Sequence, residues 1–295
     1  MNSSLCEISA TTRIFAVLGH PISHSLSPAM HNPTLQAMGM NAVYVAFDTA
    51  PDQLMETLKV FGNRGFAGVN LTIPLKEIAF KGIAKLAESA ELSGSVNTVV
   101  FHADGSLEGH STDGYGLSQA LQESFGKGFK GQKVLLLGCG GAGRAAALQA
   151  ASDGAEKLIL TNRTRSKAAS LGEELSKRFP QLDVQISNAW PPAQNDTLQS
   201  DILLQSTSLG MKDGDDDLLT IAHFKPDQCF LDMTYVKQVT PMMKTAGDAG
   251  VQTANGLGML LHQGVRSLEI WTGCTVPVEV MRTALQQHVY GGAAS

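Results

Sequence analysis

The stretch Lys133-Val134-Leu135-Leu136-Leu137-Gly138-Cys139-Gly140-Gly141-Ala142-Gly143 decides the fold. A short apolar strand runs straight into G-x-G-x-x-G, and an alanine-rich helix follows. Each glycine has a mechanical job in that context. Gly138 permits the tight turn, Gly140 lets backbone approach a pyrophosphate, and Gly143 lets helix and strand pack closely. The phosphates are then expected over Gly138, Gly140, Gly141, Ala142 and Gly143, where unpaired N–H groups and the helix dipole favour an anion. An ordinary strand–turn–helix without a ligand is the competing reading.

The next strand bears on which dinucleotide is bound. Leu158-Ile159-Leu160 leads into Thr161-Asn162-Arg163-Thr164-Arg165-Ser166-Lys167. An NAD site puts an acid near this point for the ribose 2′-hydroxyl; here there is none, and three cations fall within five residues. That chemistry suits the 2′-phosphate of NADP. Arg163 can stack on adenine and fork onto the phosphate, with Asn162 and Thr164 beside it. Lys167 lies one helical turn on if the helix has begun, and Arg165 faces solvent. A solvated basic loop is the alternative.

Working outward, the chain has 295 residues, 43% hydrophobic and 17% charged, enough for two domains. A net charge of −5 gives no footprint for nucleic acid. No apolar run approaches the length of a membrane span, and Met1–Glu7 lacks the features of a signal peptide. Cys6, Cys139, Cys229 and Cys274 are scattered, which suggests a reduced, cytoplasmic protein.

The first hundred residues alternate strand and helix. Strands are expected at 14–18, 43–47, 68–73 and 96–101, and helices at 28–38 and 51–61, with 75–92 mostly helical. Asp104-Gly105 marks a hairpin turn. Such alternation predicts a mainly parallel sheet covered by helices, followed by a second α/β unit from about Gly114. The acidic run from Asp213 to Asp217 lacks the spacing of a calcium loop and reads as a solvated turn.

Three further stretches could carry chemistry. In Gly19–Asn32, Ser27 followed by Pro28 reads as a helix N-cap with proline at the first position. A helix start flanked by Ser25 and Ser27 is also a carboxylate site. Pro33 should kink or delay that helix. His20, His24 and His31 lack the acid pattern of a metal centre, so no metal is expected, and His24 reads as a hydrogen-bonded scaffold residue. In Gly68–Glu77, Lys76 sits in the first turn of a helix, the end that favours anions. That misplacement lowers the cost of losing its proton, so Lys76 is a candidate general acid and base, or else an exposed lysine. In Gly109–Gly116, Asp113 could cap the following helix or pair with Lys76.

Six separated motifs carry a resemblance across nearly the whole chain. They are G-x-P-x-x-H-S-x-S-P-x-x-H-N (Gly19 to Asn32), N-x-T-x-P-x-K (Asn70 to Lys76), V-N-T (Val96 to Thr98) and T-D-G (Thr112 to Gly114). The glycine loop with N-R-T (Asn162 to Thr164) and G-L-G-M-L-x-x-Q (Gly256 to Gln263) complete the set. Together they resemble the shikimate dehydrogenase family. The resemblance implies reversible reduction of 3-dehydroshikimate to shikimate by NADPH. It implies that Ser25 and Ser27 bind the substrate carboxylate, with Tyr235 nearby, and that Asn70, Thr72, Asn97 and Gln263 hold ring hydroxyls. Lys76 and Asp113 would be the catalytic pair. Thr207, Ser208 and Gly256 would lie by the cofactor, with Met259 near the nicotinamide. The implied fold is α/β, with two α/β domains. Residues 1–112 form a mainly parallel-sheet substrate domain, 113–255 an NADP-binding Rossmann-like domain, and 256–295 C-terminal helices returning to the substrate domain. The expected partner is the small-molecule substrate, with no nucleic acid or membrane, and the expected assembly is a monomer or homodimer. Ser111, Gln205 and Asn255 depart from the family pattern, where Asn, Asn and Asp are usual. A quinate or quinate/shikimate dehydrogenase is the nearest alternative, and a non-catalytic ligand sensor of the same fold a more distant one.

Overall fold

Short runs of Val, Leu, Ile and Phe become strands, and the amphipathic stretches between them become helices. The computed structural model describes residues 8–212, 214, 215 and 217–291. These divide into two compact units, one of residues up to Asp113 together with those from Leu261 onward, the other Gly114–Leu260. Met1–Glu7, Asp213 and Asp216, on which the leader, Cys6 and acidic-loop readings partly fell, lie outside the described residues.

In the first unit the elements are β1 (Arg13–Gly19), α1 (Ser27–Ala37), β2 (Ala42–Asp48), α2 (Leu54–Asn63), β3 (Gly68–Leu71), α3 (Lys76–Gly82), β4 (Lys85–Leu86), α4 (Glu88–Ser93), β5 (Thr98–Phe101) and β6 (Leu107–His110). The sheet order is β2-β1-β3-β5-β6-β4. Pairings β1–β2, β1–β3 and β4–β6 are parallel. β5 runs antiparallel to both β3 and β6, because the Asp104-Gly105 turn returns the chain as a hairpin. Gly105 has φ +83°, the left-handed conformation such a turn requires, and Asp104 accepts the Ser106 N–H at 2.9 Å. Leu54 and Leu58 of α2 are fully buried on one face against the sheet, worth about 1.5–3 kcal/mol each.

The segment 75–92 is mostly helical as expected, but in two pieces: Ile83 turns extended (ψ 125°), its side chain is buried, and the chain adds β4 beside β6 before α4. One local expectation for this unit is corrected. Ser27 is not the N-cap of α1 but its first helical residue; Leu26 flanks it, with no side-chain cap. The Ser25 hydroxyl, one position outside Leu26, accepts the Ser27 N–H at 3.3 Å. The helix continues through Pro33 to Ala37.

The second unit comprises most of α5 (Asp113–Phe125), then β7 (Lys133–Leu137), α6 (Gly141–Ser152), β8 (Lys157–Thr161), α7 (Arg165–Arg178), β9 (Asp183–Ile186), α8 (Gln194–Leu198), β10 (Ile202–Gln205), β11 (Cys229–Asp232), α9 (Pro241–Asp248) and β12 (Gln252–Asn255). Its sheet order is β12-β11-β10-β7-β8-β9, parallel throughout. Val134–Leu137 and Leu158–Leu160 are fully buried, as strands covered on both faces must be. The strand order reverses between β7 and β10, the switch point beyond whose carboxyl ends ligands bind in such sheets. α10 (Leu257–Thr272) and α11 (Val278–Tyr290) follow. The division within α10 falls after Leu260 rather than at 255/256. Its first turn packs in the second unit, where Gly258 lies against Ala120 and Met259 joins the core. No helix among the described residues is long and apolar enough to cross a membrane.

Candidate active site

Lys76, Asp113, Asn97 and Asn70 come together at the ends of β3 and β5. Lys76 opens α3, directly after the turn that ends β3. Its Nζ lies 2.6 Å from Asp113 Oδ2, with the two side chains 27% and 16% exposed, so the pair is partly shielded yet reachable. Asn97 sets the carboxylate: its Nδ2 donates to Asp113 Oδ1 at 2.9 Å and to Thr112 Oγ1 at 2.9 Å, and its Oδ1 accepts the Thr112 N–H at 2.9 Å. Asp113 therefore pairs with Lys76 at the start of α5 rather than acting only as a cap. Ionised donors and acceptors at such distances make the stronger class of hydrogen bond.

Asn70 is buried in β3 and held at both ends of its amide. Its Oδ1 accepts from Tyr44 Oη at 2.7 Å, and its Nδ2 faces Asn97 O, Thr98 Oγ1 and Ser267 Oγ at 2.9, 3.1 and 3.0 Å. The Tyr44 hydroxyl also bonds the Ser27 side chain, and burial pushes its acidity well below the ordinary tyrosine range. Ser267, on α10 one turn after Gln263, reaches Thr98 at 2.8 Å and donates to Gln263 O at 3.0 Å. Thr72 is half-buried against Gly19. Tyr44, Thr98, Thr112 and Ser267 were not among the expected site residues. Thr98 and Thr112 carried a signal as members of V-N-T and T-D-G, and Ser267 had its four-residue spacing from Gln263 on one helix face; Tyr44 carried none.

The histidines sort differently from expectation. His24 is exposed; His20 is the one tied down, its Nδ1 2.6 Å from Asp48 Oδ1. His31 is fully buried, stacked on Tyr44 at 4.3 Å, and neither ring nitrogen has a hydrogen-bond partner. Burial lowers its pKa to about 3.

In the second unit the glycine loop has the geometry a dinucleotide phosphate needs. Gly138 has φ +98°. A Cβ on Gly143 would stand 2.1 Å from Gly138 O, whereas one on Gly140 or Gly141 would meet nothing within 4 Å. Backbone is thus packed on one side of the turn and open on the other. α6 starts there with no side-chain cap and no acid in its first turn, leaving its N–H groups for an anion. These residues fit a pyrophosphate. Asn162 braces the loop, its Oδ1 accepting the Cys139 N–H at 2.9 Å.

Arg163, Thr164 and Lys167 are exposed at the end of β8. α7 begins at Arg165, so Arg163 precedes the helix and is not one helical turn from Lys167. Arg165 is exposed and donates to Asn188 Oδ1 at 2.9 Å. Thr207 and Ser208 follow β10, and Thr207 packs beside Gly138. Gln205 holds that turn: its Oε1 accepts the Thr207 N–H, and its Nε2 donates to Leu209 O at 3.0 Å. Buried Asp232 accepts from Thr240 and Thr234 hydroxyls at 2.7 and 2.8 Å, while desolvation raises its pKa. Tyr235 follows β11, and burial makes its hydroxyl less acidic than usual. Gly256 is required by packing, since a Cβ there would lie 2.1 Å from Met233 O. Asn255 accepts the Leu257 N–H at 3.1 Å and so serves the start of α10. Ser111 presents a buried Oγ with no hydrogen-bond partner.

A parallel, doubly wound sheet with this glycine loop, in a chain whose other unit holds a lysine–aspartate pair, defines a two-unit α/β protein of the dinucleotide-dependent dehydrogenase class. Residues 17–99 match the family model described as the shikimate dehydrogenase substrate binding domain, 119–210 that of shikimate / quinate 5-dehydrogenase, and 256–286 that of the shikimate 5′-dehydrogenase C-terminal domain. The NADP(+) shikimate dehydrogenase of Methanothrix thermoacetophila is 40% identical over 93% of this chain and 97% of its own, and that of Methanopyrus kandleri 37% over 96% and 98%. A crystal structure of shikimate 5-dehydrogenase from Listeria monocytogenes, in complex with shikimate and NAD, superposes with a TM-score of 0.89. It is 33% identical, covering 96% of this chain and all of that one. The chain belongs to the shikimate dehydrogenase family.

Proposed function

We propose that the protein interconverts 3-dehydroshikimate and shikimate with NADP(H), the first unit taking the substrate and the second the dinucleotide. The observation that carries this reading is the 2.6 Å Lys76–Asp113 pair, oriented by Asn97, in a chain that also has the glycine loop. When bound, the nicotinamide supplies or accepts the hydride. Reduction of a ketone leaves negative charge on its oxygen, and Lys76 donates a proton or a charge-assisted hydrogen bond there. Asp113 holds the ammonium in position and compensates its charge through the transfer. A positioned acid of this kind contributes about 10²–10⁴ in rate. The Ser25 and Ser27 hydroxyls bind the carboxylate, with Tyr235 beside it. Asn70, Thr72, Asn97 and Gln263 orient the ring hydroxyls. Gly138, Gly140, Gly141, Ala142 and Gly143 hold the pyrophosphate, while Asn162, Arg163, Thr164 and Lys167 form the adenosine end. Thr207, Ser208, Gly256 and Met259 flank the nicotinamide end. The absence of an acid among the residues after β8 supports NADP over NAD. Unpaired Cys139, Cys229 and Cys274 suit a reducing cytoplasm.

The test is oxidation of shikimate and of quinate with each of NADP⁺ and NAD⁺. Shikimate with NADP⁺ is expected to give the highest kcat/KM. Preference for quinate would replace the substrate assignment, and equal use of both dinucleotides would remove the 2′-phosphate argument.

A further inference from the structure

A cavity of about 360 Å³ opens within the second unit between the glycine loop and α7, lined by Cys139, Arg144, Ser166, Lys167, Ser170 and Glu174 among others. Its charge is built from three side chains. Lys167 stands in the first turn of α7, which has no side-chain cap and no acid there. Arg144 comes from α6, directly after the third glycine of the loop. Glu174, about two turns further along α7, grips Arg144 in a fork, Nε to Oε2 at 2.9 Å and Nη2 to Oε1 at 2.6 Å. Arg178 adds a contact to the same carboxylate at 3.3 Å. Hydrogen bonding from Arg144 is the main reason the Glu174 carboxyl is held below its usual range, so it stays ionised.

An uncompensated carboxylate in this cavity would repel any anion. Two cations against one carboxylate leave a net positive charge, with the Ser166 and Ser170 hydroxyls on the same wall. A monoester phosphate carries about −1.5 to −2 charges near neutrality. Guanidinium has five N–H donors on a rigid fork, so one edge can hold a carboxylate while another meets phosphate oxygens. We propose that Arg144, braced by Glu174, is a further cation of the subsite for the adenosine 2′-phosphate, and so a determinant of selectivity for NADP over NAD. The inference rests on the dinucleotide reading above. It adds a residue of the glycine-loop helix to those expected after β8.

The experiment measures dissociation constants of NADP⁺, NAD⁺ and 2′,5′-ADP for the full-length protein by calorimetry, with Arg144→Met and Arg144→Lys variants. Met keeps the aliphatic stem and removes the charge. NADP⁺ and 2′,5′-ADP are expected to bind about 10–100-fold more weakly to Arg144→Met, the value of one or two charge-assisted contacts, with NAD⁺ within about twofold. Arg144→Lys keeps the charge without the fork, and should weaken both 2′-phosphorylated ligands by a smaller factor. It also supplies the answer should the Met variant not fold. Equal weakening of NADP⁺ and NAD⁺ would reduce Arg144 to a packing residue between α6 and α7, and unchanged affinities would remove it altogether. A native protein that binds no dinucleotide would overturn the functional reading and this inference together. Retained NADP⁺ selectivity in both variants would overturn the inference alone.

Discussion

A lysine at the opening of a helix sits against the positive end of the dipole, which makes Lys76 a poor structural choice and a reasonable chemical one. Its compensation comes from thirty-seven residues away, in the Asp113 carboxylate. On the proposed role, in which Lys76 gives its proton at the transition state rather than in binding, Lys76→Ala should lower kcat by about 10²–10⁴ with a much smaller change in KM. An unchanged turnover number would take Lys76 out of the mechanism. Asn97→Ala removes the amide that fixes Asp113 and Thr112, so kcat should fall while the circular dichroism spectrum keeps its native form; full activity in that variant would mean the carboxylate needs no such fixing. Residues like Lys76, Asp113 and Asn97 were legible because each sits in a short motif. Tyr44 was not, since it joins the network only through tertiary packing, from β2, two strands from Asn70 on β3; Ser267, nearly two hundred residues beyond Asn70, had only its helical spacing from Gln263 to mark it.

At the level of elements, the strand–glycine–helix segment was the most readable part of the chain because its glycines answer to backbone geometry alone. Gly143→Ala would bring a Cβ within 2.1 Å of Gly138 O, a backbone atom with no rotamer to escape into. The turn and α6 must shift. We expect a loss of about 1–3 kcal/mol in stability and a marked loss of dinucleotide binding; an unperturbed melting temperature with wild-type NADP⁺ affinity would mean the loop tolerates the shift. Gly140→Ala is the contrasting case. Its Cβ would meet no protein atom, so stability should hold while pyrophosphate binding falls, read by melting and by calorimetry. The helical content of 75–92 was legible and the break at Ile83 was not, because helical periodicity continues on either side of it. What ends α3 is the pairing of Lys85 and Leu86 with Glu108 and Gly109, a long-range contact with no local trace. The N-terminus of α1 was misread because Ser27 before Pro28 has the local look of a cap, whereas its side chain bonds Tyr44, a partner with no local trace.

For the molecule as a whole, the alternation of strands and helices and the two-unit division follow from hydrophobic patterning, while the order of strands in the first sheet depends on a hairpin signalled by two residues. The same patterning buries a titratable group that ties stability to pH. His31 sits in the core of the first unit, stacked on Tyr44, with no hydrogen-bond partner for either nitrogen. Its folded pKa of about 3 lies below the ordinary histidine value of about 6.5, so between these limits the unfolded chain binds a proton that the folded chain excludes. Stability contributed by neutral His31 is therefore complete above pH 6.5 and declines as pH falls, approaching a slope of about 1.4 kcal/mol per pH unit. His31→Phe keeps an aromatic ring on Tyr44 and removes the titration. Urea unfolding followed by Trp271 fluorescence, in a Trp190→Phe background, reports on this region directly, as the two rings are 6.4 Å apart. From pH 7 to pH 5 the wild-type protein should lose about 2 kcal/mol relative to the Phe variant. Parallel curves for the two proteins would mean that His31 takes up its proton in the folded state, and that its isolation from water is incomplete.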